Sequence, residues 1–202
     1  MIHHLNRYGQ VVGLDNSPKP LAVARERGYE AHLGDAAEMP FPDESFDLVA
    51  ALDVIEHCAD DLAILRECYR VCTPEGFLVA TVPAFQWLWS YNDEINKHFR
   101  RYNAGELEEK LSQVGFKIRR MTYNNFFVFL PAAAFILLRR GNALEPKLAT
   151  PDTDEDAYQV EMEPVPTILN VFLRGVGGVE AFLLRYLNFP AGTSLLCLAE
   201  KK

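Results

Sequence analysis

Four groups of side chains have the types and spacing to do chemistry. Asp53, Glu56 and His57 stand together directly after the apolar run Phe46–Leu52. An imidazole beside carboxylates suits proton transfer, since an unperturbed histidine titrates near pH ~6.5. Asp15 ends a shorter apolar run, Val11–Leu14, and Asp35 follows Gly34 with Ala36 behind it. A carboxylate can accept two O–H bonds at once, as a ribose diol requires, or one from an amine. The fourth group is His98, Arg100, Arg101 and Tyr102, downstream of Asn92, Asp93 and Glu94. Adjacent guanidiniums can fork onto a carboxylate or a phosphate.

Each group also has a plainer reading, and both readings stay open on sequence alone. Asp15 before Asn16-Ser17-Pro18 is equally a turn or helix cap, and Asp35 a turn residue. His57 can be a helix-start residue bonded to backbone. Arg100 and Arg101 can form internal ion pairs with Asp93 or Glu94.

The elements that position these groups follow from pattern. Phe46–Leu52 is apolar at both parities, so it is expected as a strand buried on both faces, as in a parallel sheet covered by helices. Ligands of open α/β sheets bind outside the carboxyl ends of the strands, which is where Asp53, Glu56 and His57 would emerge. The sequence of strand, acid and helix recurs: a helical tail over residues 1–8, a strand over 10–14 ending at Asp15, a helix over 20–27, and an extended piece over 29–33 ending at Asp35. Asp60 is placed to cap a helix running to about Cys72. Thr73–Gly76 is expected as a turn before a buried strand over 77–82. Residues 83–102 read as a loop rich in aromatic and cationic side chains.

A helix over 105–114, stopped by Gly115, and a strand over 116–123 come next. An apolar helix follows over 126–140. The acidic stretch 145–166 holds four prolines and reads as a linker. A second apolar helix over 167–187, interrupted at Gly175–Gly178, precedes a last strand over 193–199.

Taken as an ordered set, Val11–Ser17, Gly34-Asp35-Ala36, Glu38–Pro42, Ser45–Val49, Asp53–His57 and Thr73–Phe77 resemble a class I S-adenosylmethionine-dependent methyltransferase of the type 11 group. The resemblance implies an α/β fold: a doubly wound, Rossmann-like, mostly parallel sheet of seven strands with an antiparallel last strand. It implies one domain over 1–202, with a core over 1–125, a helical insertion over 126–190 and the last strand over 191–202. Carried over by position, Asp15 and Asn16 would hold the ribose of S-adenosylmethionine, Asp35 and Ala36 its adenine, and Asp53 and Val54 its methionine half. His57 becomes the candidate catalytic base. His98, Arg100, Arg101 and Tyr102 resemble a substrate-side segment of a bacterial subgroup.

The family's first strand and glycine-rich loop would stand before Met1, so the chain is expected to be truncated at its amino terminus. Without that strand, residues 11–14 and 46–52 must pair directly or leave a gap. The leading functional expectation is methyl transfer to a small-molecule or lipid-like acceptor. The alternatives are a non-catalytic methyltransferase-like remnant acting through a partner, and a nicotinamide-dependent oxidoreductase, which would not explain Gly34-Asp35-Ala36 or the Asp53–His57 cluster.

Bulk properties bound the rest. Apolar residues make up 49% of the 202, charged ones 24%, and the formal net charge is -8. That charge argues against non-specific nucleic-acid binding, which needs a basic surface. The four cysteines lack a CxxC pair and no secretory signal precedes them, so reduced thiols in a cytoplasmic protein are expected. Cys68 and Cys72 are one turn apart, with no histidine or further cysteine at ligand spacing, and no metal is expected. No segment reaches the ~18 to 20 apolar residues of a membrane span. The apolar helices 126–140 and 167–187 are expected to pack as a lid, a dimer contact or a peripheral membrane patch.

Overall fold

A computed structural model of the chain describes residues 2–140 and 167–202. The acidic, proline-rich stretch 145–166 lies outside them. In chain order the elements are α1 (Ile2–Leu5), β1 (Val12–Asp15), α2 (Pro18–Glu26), β2 (Glu30–Leu33), β3 (Phe46–Leu52), α3 (Asp61–Val71), β4 (Cys72–Pro83), α4 (Tyr91–Ile95), α5 (Ala104–Val114), β5 (Phe116–Asn124), α6 (Phe126–Arg140), α7 (Thr167–Leu183) and β6 (Ser194–Lys201). Short 3-10 turns cover Ile55–His57 and Gln86–Leu88.

The strands form two sheets. One holds β1 and β2 in parallel, with Asp15 opposite Leu33. The other has the order β3-β4-β6-β5. Here β3 runs parallel to β4, while β6 lies antiparallel between β4 and β5. The expected α/β architecture with a reversed last strand is therefore present, and that strand sits inside the sheet. Among the described residues the expected seven-stranded sheet does not form: there are six strands, split between two sheets, and β1 does not pair with β3. Of the two expected outcomes for residues 11–14 and 46–52, direct pairing or a gap, the structure has the gap.

The core lies where α3 and α5 pack against the larger sheet and each other. Leu65, Cys68, Leu78, Ala80, Val82, Leu107, Leu111, Leu195 and Ala199 are buried there. Their burial follows from alternation: β6 places every second residue inward, from Leu195 to Lys201. Two capping residues fix the helices, since Asp60 accepts from the amide of Ala63 and Asn103 from that of Glu106. Gly115 ends α5 in the left-handed region at φ 109°, and a side chain there would run into the ring of Tyr69.

Several expectations change. β3 has the expected limits but is not buried on both faces: only Ala51 is buried, and Asp47, Leu48 and Ala50 are exposed. The run is apolar enough for a central strand but lies at the edge of its sheet, paired only with β4. Thr73–Gly76 belongs to β4, where a register shift between the Phe46 and Leu48 pairings absorbs the turn-forming residues. Residues 83–102 contain α4, started by a capping box in which Ser90 and Asp93 satisfy each other's backbone amides. Finally, α7 continues through Gly175–Gly178 instead of breaking.

Candidate functional site

β1 and β2 are parallel and in register, so Asp15, which ends β1, and Asp35, two residues beyond β2, emerge at the same carboxyl end. The amide of Gly34 donates to the carbonyl of Asp15 at 3.1 Å, tying the ends together. In each acid one carboxylate oxygen is engaged locally. Asp15 Oδ1 accepts from the amide of Ser17 at 2.8 Å, and Asp35 Oδ1 from that of Ala37 at 2.8 Å. The turn reading is thus satisfied at both positions, and the second oxygen of each is what a ligand would use. Asn16 is exposed beside Asp15, while Ala36 and Val54 pack partly against the main core.

Asp53 follows β3 and is forced into the left-handed region, at φ 52°, an uncommon state for a residue with a side chain. Thr81 of the neighbouring β4 explains why it stays there. The Asp53 amide donates to the Thr81 carbonyl and hydroxyl oxygens at 3.0 and 3.1 Å, and the Thr81 hydroxyl lies 3.1 Å from Asp53 Oδ1. Strain of this kind, held by a neighbouring strand, turns the chain sharply so that the next residues fold back as a 3-10 turn.

That turn carries the most unusual side chain in the molecule. Glu56 is fully buried, and neither carboxylate oxygen has a hydrogen-bond partner among the described residues. Burial, aided by the charges of Asp53 and Asp93, pushes its pKa up to about 7, outweighing the opposing influence of its own backbone amide. His57, beside it, is exposed, yet desolvation and the neighbouring His98 lower its pKa, so its neutral form is favoured. The rings of His57 and His98 meet edge to face with centroids 4.7 Å apart.

His98 reaches this cluster because two backbone hydrogen bonds hold its loop. The amide of Phe99 donates to the carbonyl of Glu56 at 2.8 Å, and the amide of His98 to that of Asp93 at 2.9 Å. Asp93 is buried and orders the whole segment. Its Oδ1 lies 2.9 Å from His98 Nδ1, and both its oxygens receive the fork of Arg101 at 2.8 and 2.9 Å. Although burial pulls the Asp93 carboxyl upward, Arg101 and His98 together hold it below the ordinary carboxylate range.

The four residues expected on the substrate side therefore divide. Arg101 is committed to Asp93, as the internal reading allowed. Arg100 pairs with Asp61 at 3.0 Å and the carbonyl of Ala59 at 2.6 Å, a partner neither reading named. Tyr102 is fully buried and donates to the same Asp61 at 2.9 Å, with Lys110 bound to its other oxygen at 3.1 Å. These three brace the loop from beneath, and only His98 joins the cluster at the end of β3. Sequence reasoning missed Asp61 because its partners lie some forty residues away. Asp93 carried a signal, the Ser90-x-x-Asp93 capping box.

A separate cleft of about 480 Å³ opens between α6, α7 and the end of β5, lined by Asn124, Val128, Val176, Glu180 and Leu184 among others. Glu180 is buried there, with Oε1 unpartnered and Oε2 accepting from the amide of Phe127 at 3.3 Å. Elsewhere on the same two helices Leu130, Leu138, Phe172 and Phe182 are exposed. No helix among the described residues is long and apolar enough to cross a membrane.

Residues 1–80 match the methyltransferase domain family. A probable S-adenosylmethionine-dependent methyltransferase of Mycolicibacterium smegmatis is 37% identical over 113 residues, covering 54% of this chain and 44% of that protein. The demethylmenaquinone methyltransferase of Listeria welshimeri is 36% identical over 107 residues, covering 50% of this chain and 45% of that protein. In fold, the S-adenosylmethionine-dependent methyltransferase of Mesorhizobium loti superposes with a TM-score of 0.59 at 17% identity, covering 98% of this chain and 84% of that one. The amino-terminal part of the chain is thus similar in sequence to methyltransferase domains, and the described fold is similar to that of S-adenosylmethionine-dependent methyltransferases. The chain spans less than half the length of the curated relatives it matches.

Proposed function

We propose that the protein binds S-adenosylmethionine at the strand ends marked by Asp15, Asp35 and Asp53 and transfers its methyl group to a small-molecule or lipid-like acceptor. The observation that carries this reading is the repeated acid at the carboxyl ends of parallel strands within the segment that matches the methyltransferase domain. In this reading the second oxygen of Asp15, with Asn16, takes the ribose hydroxyls, Asp35 the adenine amine above Ala36, and Asp53 with Val54 the methionine half. The reaction breaks the sulfonium–methyl bond as the acceptor's lone pair forms a new bond to that carbon, and the thioether leaves neutral. Placement does most of the work, because the sulfonium is already an activated leaving group.

An acceptor carrying a proton must lose it, and His57 is the proposed base. Its lowered pKa keeps the imidazole neutral near pH 7, with a nitrogen available to accept. A lipid-like acceptor is favoured by the exposed apolar side chains of α6 and α7, the helices that line the 480 Å³ cleft, and by the quinone precursor in the name of the Listeria relative.

A second reading, a methyltransferase-like domain acting through a partner, is favoured by the separation of β1 and β3 into different sheets, each strand pairing on one side alone. One titration divides the two. In calorimetry the chain is expected to bind S-adenosylmethionine, and Asp15→Asn to weaken binding by about 1.5–3 kcal/mol through lost charge-assisted hydrogen bonds. Absence of cofactor binding by a folded chain would leave the second reading standing.

A further inference from the structure

We propose that Glu56, His57 and His98 form a binding site for a divalent first-row transition-metal ion. Three observations meet here. One ligand atom from each residue can be chosen so that all lie within 4.8 Å of one another. Three atoms bound to one such ion at ~2.0–2.2 Å in tetrahedral geometry lie ~3.3–3.6 Å from one another, so the side chains must close by up to about 1.5 Å, within reach of small rotations about their χ angles. Glu56 is fully buried with both oxygens unpartnered, a state a cation relieves directly. His98 is already prepared as a ligand, because its Nδ1 is held by Asp93 at 2.9 Å, which leaves Nε2 as the nitrogen to bind an ion. Asp93 is fixed in turn by the fork of Arg101, so the outer partner is itself rigid.

The donor set selects the ion class. Two imidazoles with one carboxylate suit zinc, iron, cobalt or nickel, whereas calcium and magnesium prefer oxygen alone. Three protein ligands also leave a coordination position open, and the exposed His57 puts that position toward solvent, beside Asp53. An acceptor oxygen bound there would lose its proton more readily, which makes His57 a ligand instead of the base. That last clause rests on the methyl-transfer reading; binding of the ion does not.

The test uses the full chain, stripped with a chelator, in equilibrium dialysis against Zn²⁺, with Co²⁺ absorption as a second readout. One equivalent is expected to bind, competed poorly by Mg²⁺, with a visible Co²⁺ band of imidazole and carboxylate ligation. His98→Ala and Glu56→Gln should each weaken Zn²⁺ binding at least tenfold. The remaining histidines, His3, His4 and His32, can be replaced together without loss. Should Glu56→Gln fail to fold, the exposed His57→Ala gives the same reading. No retained ion, equal binding by the His57 and His98 variants, or loss of binding on replacing the other three histidines would overturn the site. Metal binding by a chain that does not bind S-adenosylmethionine would uphold the site and reject the methyl-transfer reading, so the two failures are separable.

Discussion

The two sheets hold the two halves of the proposed site very unequally. The four-stranded sheet buries Leu65, Leu78, Val82, Leu107, Leu111 and Leu195 completely. The β1–β2 pair and α2 contribute only Leu21 and Ala31 as buried apolar residues. At ~25 cal/mol per Å² of apolar surface, that difference amounts to most of the molecule's hydrophobic stabilisation. Asp53, Glu56, His57 and His98 therefore stand on a rigid support, while Asp15, Asn16, Asp35 and Ala36 stand on a two-stranded ladder of the kind that is marginal by itself. A ligand bridging both sets would gain its affinity partly by ordering the weaker half, and would stabilise it in return.

The comparison breaks most visibly by deleting the same atoms on each side. Leu65→Ala should cost about 2–5 kcal/mol, because α3 is packed on the sheet and the cavity cannot collapse. Leu21→Ala should cost less than half as much in the denaturant midpoint of the whole molecule. Equal costs would show that both sheets unfold as one unit, and the division drawn above would be wrong.

What ties the sheets together is the segment after β2. Arg70 of α3 donates to the carbonyls of Met39 and Phe41 at 3.0 and 2.8 Å and to Asp43 at 2.7 Å, and is oriented by Glu67. His32 of β2, Phe41 and Phe46 of β3 continue the link as edge-to-face rings at 5.4 and 5.0 Å. Arg70→Ala should loosen this strap by about 2 kcal/mol. Hydrogen exchange is the sharper readout: amides of β1, β2 and residues 35–45 should exchange faster, with those of β4 and β6 unchanged.

Much of this is legible in the amino-acid sequence. The limits of β3 and α6 follow from their largely apolar runs, and Asp60 and Gly115 mark their helices by type alone. Burial of β3 was not legible, since apolarity says what a strand could be packed against and not which neighbours it has. The glycines of α7 misled for a related reason. Each costs a helix ~1 kcal/mol, too little to end it, and nothing stands near enough to their positions to demand a bend. At the site, the acids and His57 were visible from spacing. The roles of Arg100, Arg101 and Tyr102 were not, because Asp61 and Asp93 draw their side chains inward through contacts of long sequence separation.

The smallest expected effect isolates the strap by pH. Glu67 accepts from Arg70 Nε and a terminal nitrogen at 2.7 Å each and from the amide of Met39 at 2.7 Å. The bonds to Arg70 hold its carboxyl below the ordinary value of 4.5, outweighing the opposing effect of burial. Between the folded and unfolded pKa values the unfolded chain binds more protons, so stability falls as pH falls. The contribution is fully present above about pH 4.5 and is lost as the pH drops through the lower, folded value. It should be on the order of 1 kcal/mol, as for a partly shielded ion pair. The Asp93 carboxyl is also held below its ordinary value, so the native profile alone cannot assign the loss. The difference between native protein and Glu67→Gln can, because Asp93 contributes equally to both. That difference in denaturation midpoint should be constant from pH 7 to 5 and shrink below pH 4.5, together with faster exchange in residues 39–43. A difference that does not change down to pH 3 would mean that Glu67 carries no charge-dependent share of the link between the two sheets.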